Sequence, residues 1–128
     1  MPVDVRFADD NRYIVYTFQE PLEMAELLKA YEEERRLRDS VDHVVNSIVD
    51  MSEIRRIPRN WLTAKAGPGL THPRSGAMLF VGISPGLHII LNTIMKVARY
   101  NKMQFFKTRA EAEAHMAEIL AAQTVERA

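Results

Sequence analysis

His43-Val44-Val45-Asn46-Ser47-Ile48-Val49-Asp50 is the stretch on which the fold turns. Its apolar residues occupy both odd and even positions, so they would stand on both sides of a pleated strand. A strand covered on both sides belongs inside a parallel sheet, where helices pack on each face. Ala77-Met-Leu-Phe-Val-Gly-Ile83 reads as a second strand of this kind. Parallel neighbours need crossover connections, and helices are the usual ones.

Working outward, Val3, Val5 and Phe7 alternate with polar residues at the period of a half-buried strand. Asp9-Asp10-Asn11-Arg12 has turn chemistry, and Tyr13 to Phe18 is rich in β-branched and aromatic residues. Together they predict an antiparallel hairpin. Pro21 suits the first position of a helix in which Met24, Leu27, Leu28 and Tyr31 form an apolar stripe. The pairs Glu32/Arg36 and Glu34/Arg38 are spaced to sit on that helix's solvated side. After the interior strand come a loop, Met51 to Ile57, and a short helix over Pro58–Ala66 that carries Trp61 and Leu62. Gly67 to Gly76 reads as a ten-residue loop that presents His72 and Arg74.

Ser84-Pro85 is a helix start, with Ser as N-cap and Pro in the first turn. Leu87, Ile90, Leu91, Ile94 and Val97 form the core stripe of that helix. Lys102 to Lys107 is a last strand, and Thr108-Arg-Ala-Glu111 is a capping box that opens a final helix. That helix buries Ala112, Met116, Ile119 and Leu120. The order β-β-α-β-α-β-α-β-α predicts an α/β fold: a five-stranded, mainly parallel sheet with one antiparallel N-terminal strand and four helices. The crossovers should be right-handed. Residues 1–128 form one domain, with its core between about residues 3 and 120 and a frayed end from Gln123 to Ala128.

The chain has 128 residues and is 47 % apolar, enough to bury roughly two thirds of its unfolded surface. Lys plus Arg and Asp plus Glu are 17 each, and this balance argues against a nucleic-acid partner. Without cysteine there can be no disulfide, thiolate metal site or thiol nucleophile. The start Met-Pro-Val-Asp-Val-Arg is unlike a signal peptide, and the apolar runs Ala77–Val81 and Leu87–Leu91 are too short to span a bilayer. The expectation is a soluble, cytoplasmic protein with no integral membrane segment.

Three places resemble the STAS domain in its SpoIIAA-like form, the family of anti-sigma-factor antagonists, to which the Sec14-like fold is related. They are the hairpin running into the helix from Pro21, the strand ending Val49-Asp50-Met51-Ser52, and the ending Phe105-Phe106-Lys-Thr-Arg-Ala-Glu through Leu120. The resemblance covers about Val3 to Leu120. It implies a bacterial regulatory module that binds partner proteins, nucleotides or lipids. Antagonists of this family carry a phosphorylatable Ser in an Asp-Ser-Ser-Gly turn about nine residues past the Asp that ends the central strand. Here that turn falls on Pro58-Arg59-Asn60-Trp61, which has no hydroxyl, so the phosphoserine switch is not expected. Ser52 precedes the turn; with Asp50 it is expected to bond loop N–H groups.

No catalytic constellation stands out. His43, His72, His88 and His115 lack metal-ligand spacing, so neither a metal nor a cofactor is expected, and His115 reads as a half-buried structural residue. Gly82-Ile-Ser-Pro-Gly86 matches G-x-S-x-G, and Ser84, His88 and Asp50 could be assembled into a triad. Pro85, however, removes the N–H that such hydrolases place in the oxyanion hole. The expected function is therefore non-enzymatic. It is binding of a partner protein or a small anionic ligand at the C-terminal edge of the sheet, where open α/β sheets bind their ligands. Asp50, Ser52, Arg59, Asn60, Trp61, Ser84 and Gly86 are the candidate binding residues. A lipid or small-molecule carrier, with an apolar pocket under the helix from Ser84, is the alternative. A hydrolase built on Ser84 is the remote one. Ile89 and Met95 fall off that helix's core stripe and are the candidate interface of a homodimer.

Overall fold

The structure is a computed structural model of the chain, and it describes residues 3–8, 12–20, 23–54, 72–98 and 102–127. Five strands form one sheet: β1 (Val3–Ala8), β2 (Tyr13–Phe18), β3 (Val45–Asp50), β4 (Ser75–Val81) and β5 (Met103–Phe106). Their spatial order is β1-β2-β3-β4-β5. The β1–β2 pair is antiparallel, with Val5 opposite Tyr16, and the other three pairs are parallel. Three helices are described: α1 (Met24–Asp39), α2 (Pro85–Ala98) and α3 (Arg109–Arg127). The short helix expected over residues 58–66 lies outside the described residues.

Side-chain alternation divides the core in two. On one face Val3, Ile14, Tyr16, Phe18, Val45, Val49 and Phe80 pack with Leu27, Ala30 and Leu37 of α1 and with Leu87 and Leu91 of α2. On the other, Ile48, Leu79 and Val81 meet Ala112, Met116 and Leu120 of α3. The central strands are thus covered on both sides, as their double apolar pattern requires. Among the described helices, α3 is the one that lies on the second face, over β3, β4 and β5. On that face of β1 and β2, Val15 is buried and Arg6 is exposed.

Several sequence expectations need correction. Helix α1 begins at Met24, because Glu23 is extended (φ −114°, ψ 152°), so Pro21 lies upstream of the helix. Its inward face is Leu27, Ala30, Glu34, Leu37 and Arg38, and Leu28 is 49 % exposed. The helix is rotated from the expected phase because residues 32–36 are all charged. Any stripe running the length of the helix must draw in some of them, and the one adopted draws in a pair that can neutralise itself. Arg36 bonds Glu33, not Glu32. The expected 67–76 loop ends earlier, with Ser75 and Gly76 already in β4.

The pair drawn inward is built into the fold. Arg38 Nε donates to Glu34 Oε2 at 2.8 Å, and Nη1 donates to the carbonyls of Val45 (2.5 Å) and Arg74 (3.2 Å). The Tyr16 hydroxyl donates to Glu34 Oε1, with the Ala30 carbonyl a second acceptor at 3.2 Å. One guanidinium thus ties the end of α1 to the start of β3 and to the approach to β4. Burial, then the neighbouring Glu34 carboxylate, pushes the Tyr16 phenol far above its ordinary pKa.

Candidate functional site

The parallel strands β2 to β5 end along one edge of the sheet, and the turns after them carry the polar groups. Asp50 closes β3. Its Oδ1 accepts from the backbone N–H of Ser52 at 3.1 Å and from the Ser52 hydroxyl at 2.6 Å. This is the turn-stabilising role expected of the two residues. Gly82 follows β4 at φ +70°, a conformation favoured by glycine, and a Cβ there would come within 2.6 Å of the Ser52 Cα. The Asp50–Ser52 turn therefore rests directly on glycine backbone.

The second oxygen of Asp50 faces α3. Thr108 caps that helix by accepting the Glu111 N–H at 3.2 Å, and the next residue, Arg109, reaches Asp50 Oδ2 at 3.4 Å. Arg109 Nε also donates to Glu113 at 3.1 Å. The Arg109 side chain is 36 % exposed and that of Asp50 15 %. Arg109 borders a groove of about 650 Å³, with Asp4, Arg6, Ala8, Val15, Thr17 and Gln19. In β1, Arg6 Nε donates to Asp4 at 2.6 Å. The groove therefore has a guanidinium at each side, a hydroxyl and an amide between them, and a helix N-terminus at its wall. These donors suit an anion.

The remaining candidates are placed differently. Ser84 accepts the Leu87 N–H at 3.3 Å as the N-cap of α2. His88 lies over the Phe105 ring, with centroids 4.1 Å apart. Ser84, His88 and Asp50 are thus each engaged with other groups. Gly86 is exposed, and an added Cβ there would meet open space. Arg59, Asn60 and Trp61 lie outside the described residues. Ile89 is 68 % exposed, whereas Met95 packs half-buried against the core and so has an intramolecular contact.

Each described histidine has a local role. The His72 Nδ1 accepts from the Arg74 N–H at 3.0 Å, so Nε2 carries the proton and donates to Asp39 at 2.7 Å. That bond ties the end of the loop expected over residues 67–76 to the last residue of α1. His43 Nδ1 lies 3.0 Å from the Val44 carbonyl oxygen. His115 is half-buried on the Phe106 ring. No group of three His, Asp or Glu side chains able to hold a metal occurs among the described residues. Among them, too, no helix is long and apolar enough to cross a membrane.

The groove residues were missed in the sequence. Asp4, Arg6, Thr17 and Gln19 read there as the solvent side of a hairpin, and Arg109 as part of a cap. Their one signal is that the polar positions of the first strand include an unlike pair, Asp4 and Arg6, two residues apart and hence on one face. Comparison with family models, curated proteins and solved structures found no match to this chain.

Proposed function

We propose that the chain is a non-enzymatic binding module of STAS-like type, and that its ligand is a small anion held in the groove between Arg6 and Arg109. The observation that carries this reading is the groove itself, lined by two guanidinium groups that are each paired with a carboxylate. Asp4 and Asp50 keep the two arginines extended and oriented, which lowers the entropy lost when they engage a ligand. Thr17 and Gln19 add neutral hydrogen-bonding groups between them. The element order and the Asp50–Ser52 turn at the end of the central strand support the STAS-like part of the reading. The polar lining favours a charged ligand over the lipid of the carrier alternative.

Chemical-shift titration with inorganic phosphate and with malonate tests the proposal. Saturable shifts should centre on Arg6, Thr17 and Arg109, and should be lost in Arg109→Ala. Titrations without saturation, or shifts that survive both Arg6→Ala and Arg109→Ala, would remove the groove as the site.

A further inference from the structure

Among the described residues, strand β1 is an edge of the sheet, bonded to β2 on one side and last in the strand order on the other. Helix α1 covers its Val3, Val5 and Phe7 face, whereas Asp4 and Arg6 stand on the groove face. An edge strand of six residues presents unpaired N–H and C=O groups along its outer side and is a template for another strand. From the order of side chains along β1 we infer that the strand it accepts is a second copy of itself, antiparallel, across a two-fold axis through Val5.

The register of the two strands follows from symmetry. A two-fold axis that joins two antiparallel edge strands into one continuous sheet runs perpendicular to the sheet, so every residue keeps its face. It also places one residue opposite its own copy. With Val5 at the centre, Val3 faces the partner's Phe7 and Phe7 faces the partner's Val3. Asp4 then faces the partner's Arg6, and Arg6 the partner's Asp4. Unlike charges directly opposite on one face are a favourable cross-strand pair, and like charges an unfavourable one. Moving the centre by one residue either way sets Asp4 against Asp4 or Arg6 against Arg6. The sequence from Val3 to Phe7 is thus self-complementary in one central register: apolar against apolar on the helix-covered face, charge against opposite charge on the groove face. Both faces of the seam are satisfied without moving α1, and the two groove faces merge into one surface. Two-fold pairing is the commonest closed arrangement of identical subunits. The inference does not depend on the groove binding an anion.

Sedimentation of the full chain tests it. The wild type should be dimeric, and Asp4→Arg and Arg6→Asp should each weaken the dimer by roughly tenfold or more, since each turns two attractive pairs into repulsive ones. An equimolar mixture of the two variants should form a heterodimer, because one chain then carries two arginines opposite two aspartates. The double swap Asp4→Arg/Arg6→Asp should restore the homodimer, which guards against loss by misfolding. Ile89→Asp on α2 should leave the dimer intact. A wild type that is monomeric at every soluble concentration would overturn the inference, leaving Asp4 and Arg6 as charges that keep the edge solvated. A dimer indifferent to both reversals, a mixture that fails to pair, or loss of the dimer in Ile89→Asp would overturn it as well.

Discussion

Two arginine–carboxylate pairs of similar chemistry sit in opposite surroundings. Arg38 and Glu34 have side-chain exposures of 0 % and 3 % and are joined at 2.8 Å. Arg109 and Asp50 meet at 3.4 Å at the groove, with exposures of 36 % and 15 %. Removing the first pair's charges from water is costly, and the attraction between them offsets this only with further hydrogen bonds. Most of those bonds are present: Tyr16 serves Glu34, and the carbonyls of Val45 and Arg74 serve Arg38 Nη1, while Arg38 Nη2 is buried without a partner. The second pair keeps contact with water, so its net contribution is small and its arginine can exchange partners. Burial and the hydrogen bonds around the charges, not the residue types, decide whether such a pair locks a fold or serves a surface.

Breaking the buried pair is the largest effect expected. Arg38→Ala leaves Glu34 buried without its cation and removes the guanidinium bonds to the Val45 and Arg74 carbonyls, the second of which keeps the Val45 N–H, and this should cost about 3–5 kcal/mol. Urea midpoints would show it. Replacing both partners, as Glu34→Leu with Arg38→Met, should recover most of the loss, because an apolar pair of similar volume is often as stable as a buried ion pair. A double variant as weak as Arg38→Ala would mean that the bonds to Val45 and Arg74, not charge compensation, hold this end of α1.

The hydroxyl that completes the buried pair gives a second, smaller effect with its own pH signature. Tyr16→Phe should cost about 1–3 kcal/mol, since Glu34 loses a buried donor. In the wild type the Tyr16 phenol has its pKa raised by folding. The folded chain therefore keeps a proton that the unfolded chain releases near its ordinary value of about 10. This contribution to stability is fully present below about pH 10 and falls at higher pH by up to about 1.4 kcal/mol per unit. Tyr16→Phe should remove that part of the alkaline decline. Equal declines in wild type and variant, compared by urea unfolding at pH 9 to 11, would detach Tyr16 from it (range set by the same reference value of about 10).

The smallest effect should lie at the groove. Arg109→Ala should change stability by less than about 1 kcal/mol, the usual worth of a solvated pair. In the same variant the phosphate and malonate shifts should disappear. A stability loss as large as that of Arg38→Ala would make the two pairs alike and turn Arg109 into a structural residue.

Local chemistry decided much of this molecule. The alternation in Val3–Phe7, the doubly apolar run ending at Asp50, the Ser84 and Thr108 caps and the stripe Ala112–Met116–Leu120 each read correctly, because neighbours in sequence settle them. The succession of elements and the mainly parallel sheet follow from the same signals, whereas the order of the strands across the sheet came from the structure. The phase of α1 could not be settled this way. Two stripes compete there, and Leu27–Ala30–Glu34–Leu37–Arg38 prevails because Tyr16, 18 residues before Glu34, and Arg74, 36 residues after Arg38, supply hydrogen bonds to a buried pair. The groove too is a product of tertiary structure, since it sets Arg109 at the start of α3 beside Asp4, Arg6 and Thr17 of β1 and β2. Periodicity tells which side chains share a face, but what covers that face is decided by contacts between residues far apart in the chain.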